Sequence, residues 1–318
     1  MLRLRFVICL GLFWGTLSLL AATAQTELRF QWKDDDRQLY VMDQSVRQSL
    51  EVFGTRSESE TREQELRVRH VHATDNPAQY RIDQHAEQLT YRLFSGDAVQ
   101  FVFDSRQPDG EDPQKRMTQL RRALAARSQA VWSTHVDTES LKVDSVTGLE
   151  AVLNQVEPAI AKQLEAVYAP EYLIGNELGW FHGIPLEPVD MGQSWTRSVE
   201  YRLGDGQRLQ MDYRYTYVGR ELRRGKSFDR IDVVVDRATW NTDDQDRNQL
   251  SIKPRPLNVV ASNGTLLFDA DAGRVESFRI MCQLRGAIQF KLGKTSDTAQ
   301  LELELNREVQ RREDEPDR

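Results

Sequence analysis

Few side chains in this sequence stand at the spacings that chemistry demands. The nearest approach to an activated serine is Gly192-Gln193-Ser194-Trp195-Thr196. A nucleophile elbow needs a second glycine two residues after the serine, and a helix must follow. Thr196 stands at the glycine position and alternating residues follow, which reads as a turn into a strand. Gly293-Lys294-Thr295 looks like the end of a phosphate-binding loop, but the glycine required five residues earlier is Ile288. No helical pattern follows to supply amides and a dipole for phosphate. His70 and His72 point the same way if they lie on a strand, and with His85 they could begin a metal site. Zinc needs three or four ligands and nothing completes the set, so these read as sheet histidines near a rim, on a face shared with Leu66 and Val68. Asp269-x-Asp271-x-Gly273 and the loop Asp243 to Asp246 both fall short of a calcium-loop pattern. No catalytic residue, metal ligand or cofactor site is therefore assigned.

Aromatic residues offer a different chemistry. Tyr213, Tyr215 and Tyr217 alternate strictly, and Trp180 and Trp195 stand at the junction between helical and strand patterns. These five are the candidate ligand-binding residues, lining an apolar cavity between sheet and helices. The competing reading is a packed core face, because aromatics favour strands in any case.

The elements that would position them follow a β, helical, β order. Strand signals open with Leu28, Phe30 and Trp32 and continue through Leu39 to Val52, Leu66 to His72, Leu89 to Phe94 and Val99 to Asp104. From about Asp112 the period becomes helical: Asp112 can cap, Pro113 suits the first position, and Met117, Leu120 and Leu124 share a face. A hairpin over Ala130 to Val146 separates this helix from a second one. Thr147 and Glu150 resemble a capping box for the second helix, Leu149 to Val167 forms its apolar stripe, and Pro158 should kink or split it. Strands resume at Trp195 and run through Ile231 to Val235, Val275 to Leu284 and Leu301 to Leu305. The two β regions are of similar length, which allows a loose duplication.

The first residues read as an export signal. Arg3 and Arg5 precede an apolar run, Phe6 to Leu20, and Ala22-Thr23-Ala24 offers a small-x-small cleavage site. Cleavage after Ala24 would leave a soluble protein in the periplasm or outside the cell, with no stable membrane insertion. Lys and Arg number 42 against 49 acidic residues, and cleavage removes two of the basic ones. That balance argues against nucleic acid as the partner. Only Cys282 survives cleavage, on an apolar face with Phe278, Ile280 and Leu284, so an inert buried thiol is expected.

Three short stretches resemble an uncharacterised family of exported bacterial β-rich proteins, a domain of unknown function. They are Phe101-Val102-Phe103-Asp104-Ser105, the run from Ile184-Pro185 through Val189 to Trp195, and Gly264 to Asp269 with Gly273-Arg274-Val275. The resemblance covers most of the mature chain and implies export and fold. It implies no functional residues.

The expected architecture is α+β, with one or two curved antiparallel sheets packed on a central helical segment. A signal peptide (1–24), an N-terminal β region (25–110), a helical segment with a hairpin (111–190), a C-terminal β region (191–307) and a disordered charged tail (308–318) divide the chain. The expected role is non-enzymatic binding of an apolar or amphipathic ligand in the cell envelope. The alternative is a structural or interaction module that contacts another envelope protein.

Overall fold

The computed structural model describes residues 25–110, 115–158, 161, 168, 173–174, 177, 180–204, 207–242, 250–252, 255–292 and 295–313. The export signal, Asp112-Pro113, the loop 243–249 and Gly293-Lys294 lie outside them.

Alternating residues make strands wherever the sequence offers a face to bury. Thirteen strands form: β1 (Asp36–Val52), β2 (Thr55–Ala73), β3 (Gln79–Ser95), β4 (Ala98–Asp104), β5 (Val131–Asp137), β6 (Val143–Thr147), β7 (Ser194–Gly204), β8 (Gln207–Arg223), β9 (Lys226–Thr242), β10 (Leu250–Ile252), β11 (Arg255–Asp269), β12 (Arg274–Leu292) and β13 (Thr295–Arg312). All belong to one sheet of order β6-β5-β3-β2-β1-β13-β12-β11-β9-β8-β7, with β4 beside β3 and β10 beside β12. Every pairing is antiparallel, and the first and last strands meet in the middle, Leu39 opposite Arg312 through to Glu51 opposite Gln300.

The α+β expectation is overturned by this topology. The β1–β13 pairing fuses the two β regions into a single sheet, which the hairpin of the central segment joins at its edge. Helix α1 (Lys115–Gln129) forms as its spacing predicts, and the hairpin that follows it is β5 and β6. The second helix does not run as one piece. Gly148 takes φ 105°, a 3₁₀ turn covers Leu149–Gln155, and Val156 is extended. Pro158 then begins a new helical stretch, where a missing N–H costs nothing, instead of kinking an existing helix. Ile160, Leu164 and Val167 of the expected stripe lie outside the described residues. At the other end β13 continues through Glu308 to Arg312, because Val309 turns inward and is buried.

One face of the sheet is polar and wet. The other is covered by the described residues of the connection 148–193, which joins edge strand β6 to the opposite edge strand β7. Their contacts trace the route: Glu177 meets β2 and β3, Trp180 meets Tyr40 of β1 edge to face, and Gly183 lies against Leu266 of β11 and Tyr215 of β8. Gly192 N–H then donates to the Tyr217 carbonyl at 2.7 Å. A Cβ at Gly183 would sit 2.4 Å from Leu266 Cδ1, so only glycine lets the cover lie this close. A continuous core results, joining Val71, Ile82 and Trp132 on one side to Tyr215, Ile231 and Leu284 on the other. A smaller cluster, Leu89, Phe101, Phe103, Met117 and Leu124, seats α1 on β3 and β4.

The N-terminal stretch seals one end. Thr26 and Val189 exchange backbone hydrogen bonds of 2.8 and 2.9 Å, and Gln31 N–H donates to the Gly273 carbonyl at 2.9 Å. Gly273 has φ 60°, and a Cβ there would lie 2.3 Å from the Gln31 backbone nitrogen. Gly54, at φ 75°, faces open space. Gly273→Ala should therefore cost about 3 kcal/mol and free the N-terminal stretch, against about 1 kcal/mol for Gly54→Ala, as read from urea denaturation midpoints.

Candidate functional site

The covered face carries an unexpected inventory where it crosses β2. Successive inward positions there are Glu65, Arg67, Arg69 and Val71, all buried. Charges survive under the cover because most of them meet opposite charges from other elements. Arg67 donates to Glu65 at 2.6 and 3.1 Å and to Glu177 of the cover at 3.2 Å. Arg127, from the last turn of α1, donates to Glu63 and to Glu65 at 2.7 Å. Gln84 Nε2 donates to the second oxygen of Glu177 at 3.0 Å and to Thr134 at 2.9 Å. Burial alone would raise the Glu65 carboxyl. The guanidinium groups of Arg67 and Arg127 outweigh it and hold that carboxyl down at about 2.

Arg69 is the exception. It is 4% exposed, and its guanidinium lies 4.4 Å from the Trp180 ring centroid, with the Phe181 and Tyr40 rings at 5.8 and 5.9 Å. Its Nε has no acceptor. Beside it is a cavity of about 20 Å³ walled by Phe30, Trp32, Tyr40, Trp180 and Phe181, with Arg274 and Gly273 at its other side. The aromatic wall is tightly packed: Phe30 meets Trp32, Phe181 and Phe268 at centroid distances of 5.2 to 5.4 Å. Tyr40 Oη donates to the Val275 carbonyl at 3.1 Å.

Of the five residues expected to line a cavity, Trp180 does so. Tyr213, Tyr215 and Tyr217 are buried and belong to the filled part of the core. Tyr213 and Tyr201 share a hydroxyl hydrogen bond of 2.9 Å, and Tyr217 Oη donates to Asp229 at 2.7 Å. Trp195 stacks on Tyr215 at 5.8 Å. Those four work as packing. Sequence reasoning missed Arg69, Arg274 and Tyr40. The available signal was the alternation Glu65, Arg67, Arg69, Val71, whose register is opposite to that of Leu66 and Val68.

The remaining motifs resolve simply. His70 stacks between His72 and His85 at 6.4 Å each on the polar face, and no metal-binding cluster occurs among the described residues. Burial, then the neighbouring His70, lowers the His85 pKa. Ser194 opens β7 and bonds Thr216 at 2.8 Å. Asp269 to Gly273 is a hairpin turn in which the Asp269 carboxylate accepts from Ala272 N–H. Cys282 is buried, and burial pushes its thiol up to about 11. Two grooves of about 280 and 530 Å³ lie on the polar face, where Arg47, Arg56, Arg62 and Arg285 are paired with glutamates.

The molecule is thus a single open antiparallel sheet with one face roofed by its own edge-to-edge connection, enclosing a small aromatic and cationic cavity. Comparison with known proteins gives no closer identity: no protein family and no curated protein matches the chain. Among solved structures, one of lipovitellin concerned with its lipid–protein interactions aligns over 91% of this chain and 26% of its own, at 10% identity and a TM-score of 0.40. The translocator domain of the autotransporter NalP from Neisseria meningitidis aligns over 86% of this chain and 88% of its own, at 7% identity and a TM-score of 0.16. The chain spans about a quarter of the lipovitellin chain. Likenesses at this level carry no argument about fold or function. No helix among the described residues is long and apolar enough to cross a membrane, which says nothing of strands.

The ion network sets a pH dependence. Glu65 titrates near 4.5 when unfolded and near 2 when folded, so its stabilisation is complete above pH 4.5 and disappears as the pH falls towards 2. Glu65→Gln should cost roughly 3 kcal/mol at pH 7, since it leaves Arg67 and Arg127 short of a counter-charge. Guanidinium denaturation of both proteins at pH 7, 4 and 2.5 checks this, and the difference between them should shrink across that range.

Proposed function

We propose that the protein, after export, binds an apolar or amphipathic ligand without chemical turnover, between the sheet and the connection that roofs it. One observation carries the reading. Among the described residues from 149 to 188, the cover makes no backbone hydrogen bond to the sheet. Its backbone bonds there are local, such as Ala161 to Glu157, Trp180 to Glu177 and Ile184 to Phe181. Among these described residues it is side chains that hold it down: buried Leu149, Val152, Trp180, Phe181 and Ile184, with the Glu177 carboxylate latched to Arg67 and Gln84. A lid of this kind can lift without breaking a strand pairing, and the face beneath it is apolar and aromatic except where Glu65, Arg67 and Arg69 cross it.

The cavity under Trp180 is too small for such a ligand while the cover is seated, so binding requires the cover to move. Native mass spectrometry of the purified protein should show extra mass that is lost on denaturation. A non-ionic apolar fluorophore, N-phenyl-1-naphthylamine, should bind saturably, and Glu177→Gln should raise its affinity about 3-fold or more by loosening the latch. A clean apo mass together with non-saturable fluorescence would sink the carrier reading and favour an envelope protein as the partner.

A further inference from the structure

The cavity beneath Trp180 presents donors and charge with nothing to receive them. Three of the residues lining it carry buried N–H groups without an acceptor: Arg69 Nε, Arg274 Nε and Trp180 Nε1. Among the described residues no carboxylate lines the cavity. Its other polar residues are committed elsewhere, Gln31 to the Ala270 carbonyl, Gln38 to Asp36 and Tyr40 to the Val275 carbonyl. The acid nearest in charge to Arg69 is Glu177, and its two oxygens already accept from Arg67 and Gln84. Arg311 adds a further guanidinium near Tyr40, against Glu276 at 3.9 Å.

Orphaned buried donors in a folded protein call for an unseen partner, and an unpaired buried cation calls for a counter-charge. The Trp180 ring face offsets part of the cost at Arg69, but a ring quadrupole is a weak substitute for an anion. We propose that this cavity binds a small monovalent anion, a halide or the carboxylate end of an organic acid, through the N–H groups of Arg69, Arg274 and Trp180. The volume of about 20 Å³ is a little more than one water occupies and excludes sulfate or phosphate. Walls of Phe30, Trp32 and Phe181 suit a weakly hydrated anion better than a strongly hydrated one. The site does not depend on the cover opening, so it can stand where the carrier reading fails.

The test uses the whole protein, dialysed into gluconate, whose bulk keeps it out of the cavity. Sodium bromide and sodium formate should each raise the thermal unfolding midpoint saturably, and sodium sulfate at equal ionic strength should not. Crystals soaked in bromide should give an anomalous peak within about 3.5 Å of the Arg69 guanidinium, the reach of a hydrogen bond to a large anion. Arg274→Gln should weaken bromide binding about 10-fold, and Arg69→Met should abolish it. Arg285→Gln, on the polar face, should leave it unchanged. Should Arg69→Met fail to fold, the bromide peak and the Arg274→Gln titration decide the matter. Bromide and sulfate acting alike, or an Arg274→Gln protein that binds bromide normally, would overturn the site and leave an ordered water as its occupant. Sodium formate, small enough for the cavity, separates the two sources: displacement of bromide by formate assigns the site to a carboxylate head, and its absence assigns it to a free halide.

Discussion

The pairing of β1 with β13 is the constraint on which the rest of the structure depends. When the first and last strands lie side by side in the middle of a sheet, the edges fall to whichever strands are farthest from both in pairing order. Here those are β6 and β7, which are consecutive in the chain. The residues between them must then travel from one edge to the other, and crossing the apolar face is the route that also buries it. The roof, the enclosed core and the small cavity all follow from that pairing. Both edges are also occupied by the ends of the cover, which limits how much bare strand either can offer to another chain.

Placing charges on the covered face seems at odds with a hydrophobic core, yet the arrangement is economical. Glu63, Glu65 and Glu177 come from the sheet and the cover, and Arg67 and Arg127 come from the sheet and α1. The Arg67–Glu177 pair and the Arg127 pairs with Glu63 and Glu65 each tie two elements that share no backbone hydrogen bonds, so the network fixes where the helix and the cover sit. Apolar contacts are indifferent to a slip of a few ångströms in a way that paired charges are not. The energetic gain over a purely apolar interface is small. Arg69 lies one step along the same strand, past the last available carboxylate, and the imbalance at the cavity arises there.

Much of the fold was legible in the sequence because strand alternation is a direct signal. Tyr213, Tyr215 and Tyr217 were expected to alternate on one strand, and they do, within the core. Helix α1, the hairpin after it and the inert Cys282 were equally readable. Two things were hidden. The merging of the β regions into one sheet depends on a pairing between positions about 260 residues apart, and no local pattern announces it. The apolar periodicity after Gly148 looked like one helix, but Gly148 at φ 105° and the 3₁₀ turn over Leu149–Gln155 interrupt it before Pro158 starts a new helical stretch. The candidate site was hidden for a related reason. On β2 the residues under the cover are the charged ones, while Leu66 and the buried Val68 lie on the opposite face, so the hydrophobic pattern pointed to the wrong face.

The meeting of the two ends of the chain has a mechanical side. Strand β1 begins, and strand β13 finishes, at the same end of their shared ladder, where Leu39 faces Arg312. Tension applied through the chain ends would open that ladder one rung at a time, as a zipper parts, instead of loading all its rungs together in shear. The Thr26 and Gln31 bonds are the first that such a pull would meet. A molecule tethered by both ends would therefore divide early into its two halves, still joined by the strap across their faces.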